Sequence, residues 1–239
     1  MSKENLLKHA KEAKEIWDNK LSKSSKNTFV KFFHIRPTSS GFTIVSTNSE
    51  KPMNGNNKIN SCSKLEELIS ICNEELEKEN INWNRLGIEG GYKKTEADIQ
   101  AWLINVINNQ NNKFDLYYQE LTSALEVKKL YFIGSELIFQ ERTTKGGQRP
   151  DIVAHDGNGT VFLLELKCSK GDSIEEARNQ VNEYVKIYQN DEAYKKLLLN
   201  YPMTRNLNNI EKYVGFVVVG EKGRMHIEKT GNKVIKIPE

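Results

Sequence analysis

The chain has 239 residues, 37% of them hydrophobic and 28% charged, enough to bury one full core or a core with a small appended unit. Basic side chains number 35 and acidic ones 32, a formal charge of +3. That balance excludes a histone-like basic binder and an acidic solvating tail, so any anion-binding surface must be local.

No run approaches the ~18 apolar residues of a membrane span, and charges interrupt the first segment where a secretory signal would be continuous. The three cysteines, Cys62, Cys72 and Cys168, lack CxxC spacing, which argues against a disulfide framework and a structural zinc site. The expectation is a soluble, cytoplasmic protein with no membrane partner.

Residues 4–20 read as an amphipathic helix, with Leu6, Leu7, Ala10, Ala13, Ile16 and Trp17 on one face. Residues 1–30 hold seven lysines against four acids, the pattern of a solvated helix face. Two β-type runs follow, Phe29 to Ile35 and Phe42 to Ser46, with Arg36-Pro37-Thr38-Ser39-Ser40-Gly41 as the turn of a hairpin. Residues 48–60 are too polar to pack and read as a loop. Helical spacing resumes from Leu65 to Lys78. The first 91 residues form a small N-terminal α+β domain with no motif that carries chemistry. Gly87, Gly90 and Gly91 suit a connection, which places a domain boundary there and a second domain over 92–239.

Thr95 can N-cap a helix running to about Asn109, with Ile99, Trp102, Leu103 and Val106 as its stripe. Residues 114–129 fit helix and loop equally. Three strands are predicted next: Leu130 to Glu141, broken near Gly134, then Arg149 to His155, then Val161 to Cys168. Ser173 and Glu176 make a capping box for a helix whose buried stripe is Ile174, Ala177, Val181, Tyr184, Val185 and Tyr188. Strands over Tyr213 to Gly220 and Val234 to Ile237 close the chain. The expected fold is α/β, a mixed central sheet flanked by helices.

The sequence Asp156-Gly157-Asn158-Gly159 is a strong hairpin signal. A three-residue loop, Gly157 to Gly159, sets Asp156 opposite Thr160 and Asp151 opposite Glu165, on one face. A four-residue loop would shift the register and separate the two acids, unless a bulge restored it. Lys167, two residues past Glu165, projects from the same face as Glu165.

Glu165 and Lys167 interrupt an otherwise apolar strand, where unpaired buried charge costs several kcal/mol. Two adjacent carboxylates repel each other, and a hard divalent cation between them relieves both costs. Carboxylates that fix an ion, with a lysine to balance charge, suit metal-assisted phosphodiester hydrolysis. From spacing alone, a solvated strand edge with a turn-proximal aspartate explains the same residues equally well.

Arg149-Pro150-Asp151, followed after the hairpin by Glu165-Leu166-Lys167, resembles the PD-(D/E)XK nuclease superfamily over roughly residues 94–220. Glu96 in the first helix fits this resemblance, and Gln180 with Tyr184 matches the Q-x-x-x-Y pattern of RecB-like nucleases. The stretch from Arg149 to Tyr184 is also similar to mismatch endonucleases, Holliday-junction resolvases and the Shedu anti-phage nucleases. The resemblance implies a restriction-endonuclease-like core in which Asp151 and Glu165 hold Mg²⁺, or Mn²⁺ in its place, with the Leu166 carbonyl as a third ligand. Lys167 would position the attacking water or stabilise charge, and Glu96 would complete the metal shell. A helix-start acid and a core tyrosine explain Glu96 and Tyr184 as well. Gln180, polar and bordering the stripe, is the better candidate.

Arg142, Lys145, Arg149, Lys170, Arg178 and Tyr184 are the candidate nucleic-acid contacts, with glycines at 146 and 147 allowing close approach to phosphate. His155 reads as structural or exposed. The implied activity is a Mg²⁺-dependent endonuclease in defence or repair, acting on DNA more readily than RNA, as a homodimer if it cuts both strands. The alternatives are an inactive nucleic-acid-binding or scaffold module, and a restriction enzyme with a fixed target.

Overall fold

The computed structural model describes residues 3–19, 26, 33–38, 41–46, 66–67, 69, 96–108, 115–137, 149–168, 174–221, 224–229 and 233–236. Helix α1 spans Lys3–Asn19. It buries Leu6, Ala10, Ala13, Ile16 and Trp17, the apolar face expected from their spacing. Strands β1, Phe33–Thr38, and β2, Gly41–Ser46, pair antiparallel with Pro37 opposite Phe42 and Thr38 opposite Gly41. The first strand therefore runs through Arg36-Pro37-Thr38, which the sequence places in the turn. A proline, with no N–H to give, is tolerated at a sheet edge, and both strands of a two-stranded sheet are edges. Residues 29–32, the loop over 48–60 and the glycine connection at 87–91 lie outside the described residues; of the 65–78 helix, residues 66, 67 and 69 are described and helical.

Helices α2, Glu96–Asn108, and α3, Asp115–Ala124, precede the main sheet. Residues 115–124 are thus resolved in favour of helix. Strands β3, Tyr131–Ser135, β4, Ile152–His155, and β5, Thr160–Cys168, form an antiparallel meander. Its register shifts between Phe132 and Gly134, where the break was expected. Helices α4, Ile174–Asn190, and α5, Glu192–Leu199, then cross to β6, Lys212–Glu221, which pairs parallel with β5. Strands β7, Arg224–Lys229, and β8, Lys233–Lys236, complete a six-stranded sheet in the order β3-β4-β5-β6-β7-β8. The mixed sheet flanked by helices is as expected; α5 and β7 are additions.

The two sheet faces bury different partners. Ile152, Ala154, Phe162, Leu164 and Leu166 share a cluster with Leu103, Ile104 and Ile107 of α2. Val153, Val161, Leu163 and Val217 pack instead against Ala177, Val181, Tyr184 and Tyr188 of α4. Alternation along each strand produces this division. Ile174 does not join the α4 stripe: it is 40% exposed, because it is the first residue of the helix and precedes the turn that packs on the sheet. Trp17, Ile35, Phe42 and Ile44 belong to the same cluster as the α2 face. The Ile35 N–H donates to the Met203 sulfur at 3.4 Å, and Nδ1 of His9 lies 2.7 Å from the Thr38 carbonyl. Among the described residues no helix is long and apolar enough to cross a membrane.

Candidate active site

The β4–β5 hairpin has the three-residue loop. Its Asp156 N–H donates to the Thr160 carbonyl at 3.1 Å, and Asp156 Oδ1 accepts from Asn158 N at 2.7 Å and Thr160 N at 3.0 Å. Gly157 and Gly159 take φ of 81° and 98°, values that side chains rarely tolerate. Ile152 then pairs with Leu164 and His155 with Val161, so Asp151 falls opposite Glu165 as expected. Both acids, with Lys167, lie on the α4 side of the sheet, the face that also carries Val153 and Leu163.

The same register explains why the ladder ends at Ile152. Because Asp156 and Thr160 are a hydrogen-bonded pair, alternation makes residues 154/162, 152/164 and 150/166 hydrogen-bonded pairs too. The partner required at position 150 is Pro150, which has no N–H to return to the Leu166 carbonyl. The Leu166 N–H is taken by Asp151 Oδ2 at 2.6 Å. The N–H and carbonyl of one residue in an extended strand project towards the same neighbour, so the Leu166 oxygen faces the side where Asp151 sits and lacks a ladder donor. A proline followed by an aspartate thus builds an oxygen-rich strand end.

Two contacts fix Asp151 from behind. Its main-chain carbonyl accepts from Gln100 Nε2 of α2 at 2.8 Å and from Glu136 N at 3.1 Å. Glu165 is only 5% exposed. Its Oε1 accepts from Lys167 Nζ at 3.0 Å, and its Oε2 accepts from the Tyr184 hydroxyl at 3.3 Å. Burial raises the Tyr184 hydroxyl far above its ordinary pKa; the charges of Glu165 and Asp151 and the bond to Glu165 add to this, and the Arg149 main chain opposes it. Tyr184 is therefore a permanent donor within electrostatic reach of both carboxylates.

Gln180 stands one helical turn before Tyr184 on the same helix face. Its Oε1 is buried and has no hydrogen-bond partner among the described residues. Arg149 Nη1 lies 3.9 Å from Glu136 Oε2. Arg178 is exposed on α4 and, two residues from Gln180, projects about 200° round the helix from it. Glu96 begins α2, but its side chain lies outside the described residues, as do Arg142, Lys145 and Lys170.

His155 is fully buried, which decides between its two readings. Nδ1 accepts from Gly157 N at 3.0 Å and the ring stacks on Tyr131. Burial lowers its pKa to about 4, with Asp156 partly opposing.

Several residues at the site were not singled out from sequence. Gln100 had a readable signal, a glutamine within the apolar run of α2 that is 4% exposed once folded. Arg36 and Glu136 had none. Arg36 Nη1 lies 3.8 Å from Glu136 Oε2, and its Nη2 donates to Ser135 Oγ at 2.8 Å. Glu136, immediately after β3, has φ of 44°, and its one carboxylate faces the guanidinium groups of both Arg36 and Arg149.

Among the described residues no group of three or more His, Cys, Asp or Glu side chains could hold a metal ion. Two carboxylates and the strand-end carbonyl of Leu166 form a smaller set, of the kind that suits Mg²⁺, which keeps several waters and takes one or two carboxylates. Comparison with protein-family models, curated proteins and solved structures returns no match.

Proposed function

We propose that the chain is a metal-dependent nuclease with a restriction-endonuclease-like core, acting on DNA in defence or repair. The observation that carries this reading is the strand end at Pro150, where Asp151, Glu165 and the Leu166 carbonyl gather beside the Lys167 ammonium. With the additional helices α3 and α5 set aside, the order α2, β3-β4-β5, α4, β6 is the one that the PD-(D/E)XK resemblance implies, and it supports the same reading.

Asp151, Glu165 and the Leu166 carbonyl would hold Mg²⁺ or Mn²⁺, with Glu96 completing the shell; when bound, the ion supplies a Lewis acid for the phosphate and activates the attacking water. Lys167 and Tyr184, which donate to the two Glu165 oxygens, orient the carboxylate. Lys167 balances charge on the phosphate. The buried Gln180 oxygen is an acceptor for the proton of a water aimed at phosphorus, and Arg149, about one-third exposed, offers a cation to the nucleic-acid backbone. One such site nicks one strand; cutting both requires a second copy.

The test is cleavage of supercoiled plasmid with Mg²⁺ or Mn²⁺ by the wild type and by Asp151→Asn, Glu165→Gln, Lys167→Ala and Gln180→Leu. The first three should lose at least ~100-fold in rate. Gln180→Leu should lose ~10-fold or more with stability kept or raised, since it removes an unpartnered buried acceptor. DNA bound but never cut by any of these proteins would replace the proposal with an inactive binding module. Discrete fragments from a fixed target would instead identify a restriction enzyme.

A further inference from the structure

Three charged side chains from separate stretches of the chain meet beside Asp151. Arg36 comes from β1, Glu136 from the residue after β3, and Arg149 from the approach to β4. Nη1 of Arg36 and Nη1 of Arg149 lie 3.8 Å and 3.9 Å from one and the same oxygen, Glu136 Oε2. Both separations exceed the ~3.2 Å reach of an N–H···O hydrogen bond, so this oxygen sits between two cations without bonding to either through those atoms. Two guanidiniums facing one carboxylate leave a net positive charge among the three. Loose, partly exposed ion pairs of this kind add little to stability.

Arg36 is anchored, whereas the carboxylate can leave. Arg36 Nη2 donates to Ser135 Oγ at 2.8 Å, and that oxygen lies 2.8 Å from Nε2 of His34. Ser135 and His34 are fully buried. Burial and the Arg36 charge hold the His34 ring well below its ordinary pKa, so it stays neutral and Arg36 is the cation of this group. One edge of the guanidinium is therefore fixed on a buried pair while Nη1 is turned to Glu136. The Arg36 side chain is 15% exposed, that of Arg149 32% and that of Glu136 39%. Of the three, the carboxylate has the readiest path into water.

A phosphodiester spreads one negative charge over two non-bridging oxygens, one for each guanidinium, and the planar fork of arginine matches such an anion closely. The place adjoins the proposed metal site: Arg149 stands two residues before Asp151, and the Glu136 N–H donates to the Asp151 carbonyl at 3.1 Å. We propose that Arg36 and Arg149 together seat one backbone phosphate of DNA next to the phosphate that is cut, and that Glu136 occupies this seat as a counter-ion which DNA displaces. The inference rests on the nuclease reading for its substrate, DNA, and not for cleavage itself. It gives the β1–β2 hairpin a part in holding substrate, through Arg36.

The test uses the full chain and a short fluorescein-labelled DNA duplex, with EDTA present so that no metal-dependent cleavage intervenes. Fluorescence anisotropy over ~50–200 mM salt reads the affinity and its salt dependence. Arg36→Gln should bind ~10-fold or more weakly, the loss expected for a hydrogen bond to a charged group. Glu136→Gln should bind several-fold more tightly. Replacing Arg36 and Arg149 together should make the log–log salt dependence shallower by ~0.9, the value of one phosphate. Full affinity in a folded Arg36→Gln protein, no gain or a loss in Glu136→Gln, an unaltered slope in the double variant, or no DNA binding by the wild type would each overturn the proposal. Glu136→Gln, an isosteric change at a partly exposed side chain, keeps the test decisive if Arg36→Gln does not fold. The expected binding pattern with plasmid never cut in Mg²⁺ would uphold the phosphate seat and remove the nuclease reading. Plasmid cut equally well by wild type and folded Arg36→Gln at subsaturating DNA would do the reverse.

Discussion

Replacing Lys167 by Met removes the ammonium that donates to Glu165 Oε1 at 3.0 Å and keeps a side chain of similar length. The Glu165 side chain is 6% exposed and that of Lys167 14%, so the pair is largely withdrawn from solvent. Breaking a buried pair by removing one partner costs ~3–5 kcal/mol. Tyr184 would still donate to Oε2, which places the loss at the lower end, about 3 kcal/mol. Glu165→Gln alone should cost less, ~1 kcal/mol, because the long lysine stem can carry its charge to water. The double variant, with neither charge buried, should be more stable than Lys167→Met alone. Urea unfolding followed by circular dichroism, with unchanged m values, measures all three changes. A loss below 1 kcal/mol for Lys167→Met, or strict additivity in the cycle, would refute the buried-pair argument.

Two other outcomes follow from the packing beside the site. At Gly215 an added Cβ would overlap Val181 Cγ1 and stand 3.3 Å from Val185 Cγ2, so Gly215→Ala should cost ~3 kcal/mol by overpacking. Val181→Ala in the same chain should restore part of this in equilibrium unfolding; no recovery would place the strain elsewhere. His155 has a folded pKa of about 4, below the ~6.5 of an unfolded histidine. Between those values the unfolded chain binds the proton and the folded chain does not, so stability is lost as pH falls from ~6.5 to about 4, by ~3 kcal/mol in all. Measured against wild type, His155→Phe should gain by about that amount over the same interval. A pH-independent difference between the two proteins would contradict the buried, neutral ring.

Where chemistry is local in the chain, the sequence was readable. Asp156, Gly157 and Gly159 determine the loop length, the loop determines the register, and the register puts Asp151, Glu165 and Lys167 on one face. The stripes of α1 and α4 also follow from side-chain spacing, apart from Ile174 at the helix start. Helix α5 was within reach: Asp191 caps it by accepting from Ala193 N, and Tyr194, Leu197 and Leu198 are its buried residues. Contacts made across long stretches of chain left no trace in local pattern. Nothing near Arg36 points to Glu136, a hundred residues away, and Pro37 resembles a turn residue unless the strand is known to be an edge. Gln100 could be suspected as polar in an apolar run, but its partner, the Asp151 main chain, could not.

The parallel pairing of β5 with β6 has a consequence for the order in which the molecule assembles. Ile152 finds Leu164 across a tight loop, whereas Thr160 meets Lys212 only after two helices have formed and crossed the sheet. Loop-closure entropy favours the first event and contact order delays the second. The acidic ribbon thus depends on contacts close in the chain, whereas Tyr184 reaches Glu165 only with the crossover. Slowing that crossover, for instance by weakening the seat of Val181 on Gly215, would lengthen the life of a chain with a finished hairpin and an open flank.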